Sequence, residues 1–458
     1  MKIVVLNGSP KTANSVTMQY VLFLRKKLPG HEFAIHNVCH DIRKLEDDPH
    51  ALQRVVDEIA GADAVVWAFP LYFLLVHGHY KRFIELLFER RAEGSFKDKY
   101  AAILTTSIHF FDHTAHDYVQ GICEDLGMRC FGGYSAEMYD LLKEEERDRL
   151  LLFAADFLKT VSEHRPVPRR HRSVVPLQFE YEPGKADGSI DTQSKNVLIV
   201  TDAGNNGSNL AKMVDRFRAS LRGSVSVLNL NEIRIRGGCI GCIQCGLANE
   251  CVYREADDIE RAYAQIQAAD ILVFAGSIRD RYLSSRWKLF FDRGFFNGHV
   301  PVLTGKQIGY LVSGPLMQLP NLRECLEAHA LNEMANFVGI VTDEAETSRE
   351  LDGQLDALAR RLIECATTGY IQPFNFLAVG GHKLFRDEIW ASLRFVFRAD
   401  HRYYKKHALY DFPKRSLKTR LTDTLFNILL LIPAFKRDFQ KRLRDEMVKP
   451  LAKVVEQQ

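Results

Sequence analysis

Several features are missing from this 458-residue chain, and each absence removes a class of protein. No stretch reaches the roughly 20 apolar residues that span a bilayer. The longest such run near the C-terminus, 425–435, is broken by Pro433. No secretory signal opens the sequence, because Met1-Lys2 leads straight into Ile3-Val4-Val5-Leu6, the pattern of a buried strand. The expected compartment is the cytoplasm. No charge of one sign dominates: the net charge is +3, so the totals demand neither nucleic acid nor a membrane. The first loop is neither G-x-G-x-x-G nor G-x-x-x-x-G-K-[ST], which excludes dinucleotide and P-loop readings there. H-E-x-x-H and G-x-S-x-G are also absent, which argues against a zinc protease and a hydrolase with a serine elbow.

What is present is an alternation of strands and helices, and it occurs twice. The first half has β-branched apolar runs at 2–6, 33–38, 63–69, 100–106 and 131–138, with helical patterns at 15–27, 49–60 and 79–91. The second half has strands at 196–201, 225–229, 270–276, 307–313 and 337–342, with helices at 208–221 and 257–268. Such alternation implies parallel sheets covered on both faces. The first strands are offset by about 195 residues, the length of a whole domain. Local echoes support duplication: GADAVVWAFP ending at Pro70 matches AADILVFAGS ending at Ser277, and HYKRFIELLFER ending at Arg90 matches SSRWKLFFDR ending at Arg293. The expected fold is α/β, two tandem flavodoxin-like doubly wound parallel sheets plus a basic helical C-terminal extension. Its expected domains are 1–165, a proline- and glycine-bearing linker 166–195, 196–370, and the extension 371–458.

After the first strand comes Asn7-Gly8-Ser9-Pro10-Lys11-Thr12-Ala13-Asn14-Ser15, which feeds a helix N-terminus. Free backbone N–H groups and the helix dipole make this an anion site, with Ser9, Thr12 and Ser15 as added donors and Lys11 as added charge. Plain helix capping by Ser15 is the competing reading. Ligands of doubly wound sheets sit outside the C-terminal strand ends, so the loops at 70–77 and 107–116 face the same place. The first of these supplies Pro70, Tyr72 and Phe73, a rigid aromatic surface beside a phosphate site.

NGSPK followed by PLY and a basic-aromatic helix resembles the flavodoxin-fold family of NAD(P)H-dependent FMN and quinone reductases. The likeness runs through about Met138 and resumes from about Asn196 to Thr342. It implies FMN phosphate on Ser9, Lys11, Ser15, Val16 and Thr17. It also implies the ring edge on Pro70, Leu71, Tyr72 and Phe73, and its other side near Thr106, Ser107 and His109. Tyr72 would shape the flavin face, and His109 would carry the proton. Lys11 stands where the family often has Arg.

Of nine cysteines, four form C-x2-C-x2-C-x5-C: Cys239, Cys242, Cys245 and Cys251. One short turn can present three such thiolates to a compact cluster, and Gly237, Gly238, Gly241 and Gly246 let the chain wrap closely. Zinc usually takes two separated pairs. Zinc, free thiols and a [4Fe–4S] cluster all stay open from the spacing. In this position the second half resembles the iron–sulfur flavoproteins, which implies these four cysteines as cluster ligands. Its first loop, DAGNNGSN, and second loop, SIRDRYLSS, depart from the flavin pattern. Gly204, Asn206, Gly207, Ser208 and Asn209 leave a second phosphate site open.

The combined expectation is an intrachain pseudo-dimer with FMN in the first half and the cluster in the second. NAD(P)H is the transient donor, and the acceptor, a protein among the candidates, is unidentified. The alternative is an electron-transfer or assembly subunit of a larger redox complex without its own substrate. His109, His113, His116, Asp112 and Asp117 cluster in sequence, but polar lining fits them better than a metal. From Gly380 the chain carries eighteen Lys or Arg against nine Asp or Glu. Packing of an aromatic helical face is the preferred reading of this tail. A peripheral membrane or partner contact is the other, and nucleic acid is not expected.

Overall fold

The computed structural model describes residues 1–186, 188–204, 207–413 and 416–456. Two compact units divide the chain, Met1–Tyr404 and Lys405–Gln458. Both sheets belong to the first.

Five parallel strands build the first sheet: β1 (Lys2–Asn7), β2 (Glu32–His36), β3 (Ala64–Pro70), β4 (Tyr100–Ser107) and β5 (Arg129–Glu137), in the order β2-β1-β3-β4-β5. The second sheet repeats this with β6 (Val197–Thr201), β7 (Val225–Asn229), β8 (Ile271–Arg279), β9 (Gln307–Ser313) and β10 (Asn336–Thr342), ordered β7-β6-β8-β9-β10. Each is the doubly wound flavodoxin-like order, so the expected fold class holds. Strand side chains alternate between faces. Val4 and Leu6 enter a core that runs continuously from the first half into the second, while Ile3 and Val5 pack on the outer helices of the first sheet. Ile199 and Val273 do the same in the second.

The duplication is visible in the register. Ile3 pairs with Phe33 and Ala64, and Val197 pairs with Val225 and Ile271. From strand two to strand three the first half therefore takes 31 residues (33 to 64) and the second 46 (225 to 271). The extra segment contains the four cysteines.

The halves meet through the two helices of the sequence echo, α1 (Gly78–Glu89) and α2 (Ser285–Gly298). The echo aligns on Tyr80-Lys81 with Trp287-Lys288, not on the terminal arginines. Lys81 pairs with Glu85 at 3.0 Å, and Lys288 pairs with Asp292; all four side chains are buried. Each carboxylate also caps the other helix. Gly78 N–H donates to Asp292 Oδ2 at 2.7 Å, and Ser285 N–H to Glu85 Oε1 at 2.6 Å. Each ammonium reaches across as well, Lys81 to the carbonyl of Arg279 at 2.9 Å and Lys288 to that of Tyr72 at 3.2 Å. This reciprocity is that of a two-fold interface within one chain.

The segment 166–195 runs over the surface but is anchored. Tyr181 is buried and donates its hydroxyl to Asp352, and Ile190–Asp191 pairs with Leu221–Arg222. Among the described residues no helix is long and apolar enough to cross a membrane.

Candidate functional site

The first loop is shaped by its own side chains. Asn7 Oδ1 accepts from Ser9 N–H at 3.0 Å, and Ser9 Oγ accepts from Lys11 N–H at 3.2 Å. Gly8 is required there, because a Cβ would sit 2.6 Å from Phe69 Cβ. Ser15 caps the helix Val16–Lys27 in extended conformation, yet its side chain makes no capping bond. Its Oγ is buried without a partner. A buried hydroxyl left unsatisfied at a helix N-terminus is the donor a phosphate would take up, so this loop fits the FMN phosphate. Thr17 is buried, its Oγ1 2.6 Å from Thr106 Oγ1, and Val16 is exposed beside it.

The second loop turns tightly. Tyr72 and Leu75 exchange both backbone hydrogen bonds at 2.9 Å, and Phe73 and Leu74 take positive φ of 23° and 66°. Such backbone in non-glycine residues is held by its surroundings; here Lys288 of the second half grips the Tyr72 carbonyl. Leu71 N–H donates to Thr106 O at 3.2 Å, which ties this loop to the third. Pro70 ends β3 beside Thr106. In the third loop Ser107 Oγ accepts from His109 N–H at 2.8 Å. The His109 ring is half exposed and lies 2.8 Å from Asp112 Oδ2, which Ser135 also bonds at 2.6 Å. His113 meets Glu324 at 2.7 Å and His116 meets Thr105 at 2.6 Å, so this histidine group is dispersed among separate partners.

The cysteine loop lies directly on the first two loops. A Cβ on Gly241 would be 2.6 Å from Tyr72 Oη and 3.1 Å from Lys11 Nζ, and its φ is +61°. Two histidines of the first half hold the start of the loop. His77 Nδ1 accepts from His79 N–H at 3.0 Å, which leaves Nε2–H to donate to Cys239 O at 2.8 Å. His79 Nε2 accepts from Gly238 N–H at 3.1 Å. Burial holds both rings near pKa 3 and thus neutral. From the second half, Arg293 donates to Gly237 O at 2.9 Å and Tyr253 to Gly238 O at 3.1 Å.

Burial, with the neighbouring Asp292 and cysteines, pushes the Cys239 thiol up to about 12. Burial and the other three cysteines do the same to Cys245. The sulfurs thus sense one another, with the Arg293 guanidinium beside Cys251, in a pocket where a bound metal would convert thiols to thiolates. Among the described residues the one group of three ligand atoms within 4.8 Å of each other is Cys39, His77 and His79. The four sulfurs are spread more widely than a single tetrahedral ion with bonds of about 2.3 Å would draw them. Four thiols on one short loop are the donor chemistry of a multi-iron cluster, whose ligands need not converge on one ion. His299 Nε2 lies 3.2 Å from Cys245 Sγ, and its Nδ1 lies 2.7 Å from Asp400 Oδ2.

Two cavities share a wall of Leu71, Phe73 and Phe295. One, of about 240 Å³, is roofed by the cysteine loop and includes Tyr72. The other, of about 200 Å³, is lined by Ser107, Ile108, Phe110 and Phe385 and contains Glu333. Burial raises the Glu333 carboxyl to about 7, and its Oε2 has no partner. His109 lines neither cavity.

The matching position of the second half is different. By register Asp202 follows Thr201 as Gly8 follows Asn7, and its carboxylate, bonded to Ser284, would repel a phosphate. Arg279 stands where the first half has Tyr72 and pairs with Glu89 at 3.4 Å. The result is a polar cavity of about 700 Å³ with charges of both signs. Ser208 caps its helix by accepting from Ala211 N–H, which leaves its hydroxyl engaged. Asn206 lies outside the described residues.

Sequence reasoning missed His77, His79, Lys288, His299, Glu333 and Asp400. The matched Lys-x3-acid pairs on otherwise apolar helix faces, 81/85 and 288/292, were a usable signal for the interface. Nothing local marks His299, Glu333 or Asp400, which tertiary packing brings together.

Residues 1–136 match the family model described as NADPH-dependent FMN reductase. An iron–sulfur flavoprotein of Archaeoglobus fulgidus is 30% identical over 107 residues, 23% of this chain and 47% of that protein. The chain thus spans about half the length of that curated relative. Among solved structures, FerB, a flavoenzyme NAD(P)H:(acceptor) oxidoreductase of Paracoccus denitrificans, is 21% identical with a TM-score of 0.30, over 36% of this chain and 98% of that one. An NAD(P)H:quinone oxidoreductase of Methanothermobacter marburgensis is 16% identical with a TM-score of 0.30, over 38% and 98%. The family match thus covers the first of the two halves, residues 1–136.

Proposed function

We propose that the chain is an FMN-dependent NAD(P)H oxidoreductase that passes electrons through a [4Fe–4S] cluster to an acceptor. Ser9, Lys11, Ser15, Val16 and Thr17 would hold the flavin phosphate, and Pro70 to Phe73 with Thr106 and Ser107 would border the ring. Cys239, Cys242, Cys245 and Cys251 would hold the cluster. When bound, the flavin supplies two-electron hydride chemistry and the cluster one-electron transfer.

The observation that carries this reading is the contact of Gly241, between Cys239 and Cys242, with Tyr72 and Lys11. It leaves no layer of protein between the flavin loops and the thiols. Around that contact each residue has a task. Ser15 offers its unpaired hydroxyl to the phosphate, and Lys11 offers charge. Lys288 fixes the Tyr72 turn, and His77 and His79 fix the loop backbone. Phe295, Phe296 and Phe397 give the cysteine cavity an apolar wall. Glu333 holds a proton below about pH 7 inside an aromatic cavity, where an uncharged acceptor fits better than an ion. That cavity favours an enzyme over a subunit that only relays electrons.

The test is anaerobic reduction by NADPH, followed by visible absorption and electron paramagnetic resonance. Bleaching of the flavin band together with the signal of a reduced cluster is expected, with turnover on an artificial acceptor. Bleaching with the cluster left oxidised would remove the cluster from the path. No oxidation of NADPH would leave the relay subunit.

A further inference from the structure

The C-terminal unit has a surface that the redox reading does not use. It contains α3 (Leu417–Leu429) and α4 (Pro433–Glu456). We infer that these two helices form a docking surface for an anionic lipid bilayer, on which they lie without crossing it.

The helices are joined by Phe426, Phe435 and Phe439, whose ring centroids are 6.0–6.4 Å apart. That contact leaves a second apolar stripe on each helix uncovered. On α3 it is Leu417, Leu421, Leu425 and Ile428, from 56% to 76% exposed, at spacings of four, four and three residues. On α4 it is Leu443, Met447, Leu451 and Val455, from 41% to 76% exposed, at spacings of four. Side chains at such spacings share one helix face. Exposed aliphatic stripes of this length mark an interaction surface.

Charge selects the occupant. Lys405–Gln458 holds thirteen Lys or Arg against six Asp or Glu, a net +7, while Met1–Tyr404 holds 48 against 52, a net −4. The unit that bears the exposed stripes therefore holds the whole of the chain's positive excess, the rest being net negative. Lys436, Arg437 and Lys441 are all exposed on α4. Basic residues flanking an aliphatic face match an anionic headgroup layer over acyl chains. Two such units carrying +7 each would repel, which opposes pairing with a second copy. Nucleic acid is met by stacking aromatics, whereas these stripes are aliphatic. Among the described residues no helix is long and apolar enough to span, so the contact is peripheral.

The full chain should float with vesicles of equal parts phosphatidylglycerol and phosphatidylcholine, and not with phosphatidylcholine alone. Raising the salt concentration should weaken the binding. The triple variant Leu421→Ser, Leu425→Ser, Ile428→Ser should bind about tenfold or more weakly. The triple variant Lys436→Glu, Arg437→Glu, Lys441→Glu should lose the preference for anionic vesicles. Both alter exposed side chains, so circular dichroism and the melting temperature should match the parent. No binding to anionic vesicles at low salt would overturn the inference, as would binding that both variants retain. So would a dimer seen by light scattering that the serine variant abolishes while vesicles are never bound, or retention on single-stranded RNA with vesicles ignored.

Discussion

Replacing Lys288 by Met tests the interface and the site together. The ammonium is fully buried, pairs with Asp292, and donates to the Tyr72 carbonyl 3.2 Å away. Removing one partner of a buried pair costs about 3–5 kcal/mol, because the other charge stays buried alone. At about 2.1 cal/mol/K of unfolding entropy per residue over Met1–Tyr404, each kcal/mol is worth about 1 °C, so the melting temperature should fall by roughly 3–6 °C. Replacing both partners, Lys288→Met with Asp292→Asn, removes the lone buried charge while the amide oxygen can still accept from Gly78 N–H, and should recover part of the loss. The pH dependence has a definite sign. Burial already raises the Asp292 carboxyl, and loss of the ammonium raises it further. A carboxyl raised in the folded state is stabilised in its protonated form, so the deficit of the single variant should shrink as pH falls toward about 4. Calorimetry across pH, with flavin titration of the apoprotein, reads both effects. The single variant should also bind FMN more weakly, since the Tyr72 turn loses its grip. A melting temperature unchanged within about 1 °C would refute the reasoning.

Ser15→Ala should weaken FMN binding by about five- to thirtyfold, read by flavin fluorescence, while leaving apoprotein stability unchanged, since Ser15 Oγ has no bond to lose. Gly241→Ala should cost about 1–3 kcal/mol and lower the iron retained per chain, because its Cβ meets Tyr72 Oη at 2.6 Å. The Glu333 carboxyl is raised to about 7. The stability it contributes is present in full below about pH 4 and lost as pH rises through 7. Denaturation midpoints should therefore decline across that range in the parent and stay flatter in Glu333→Gln.

Periodicity made both sheets legible. Runs such as 100–106 and 307–313 became β4 and β9 with ends shifted by a residue or less. The second-strand pattern at 33–38 slid to Glu32–His36, because Val38 and Cys39 are buried in the core and not paired in the ladder. The duplication was legible in the paired echoes, since two homologous helices must bury the same face. The tight turn of the 7–15 loop was legible because its turn chemistry is local. The position of the cysteine loop on Tyr72 was not, since the 239–251 and 70–73 segments are brought together only by the two-fold packing of the halves. Glu333, His299 and Asp400 come from three distant segments, and no local spacing announces them. The histidine run 109–116 showed the opposite case: residues close in sequence point to different partners in space.

The central claim is that one chain carries a flavin in its first half and a cluster in its second. The most direct measurement is the visible spectrum of protein purified without oxygen, with flavin, iron and acid-labile sulfide counted per chain. The account expects a single flavin with about four irons and four sulfides. Two flavins, or flavin without iron, would contradict it.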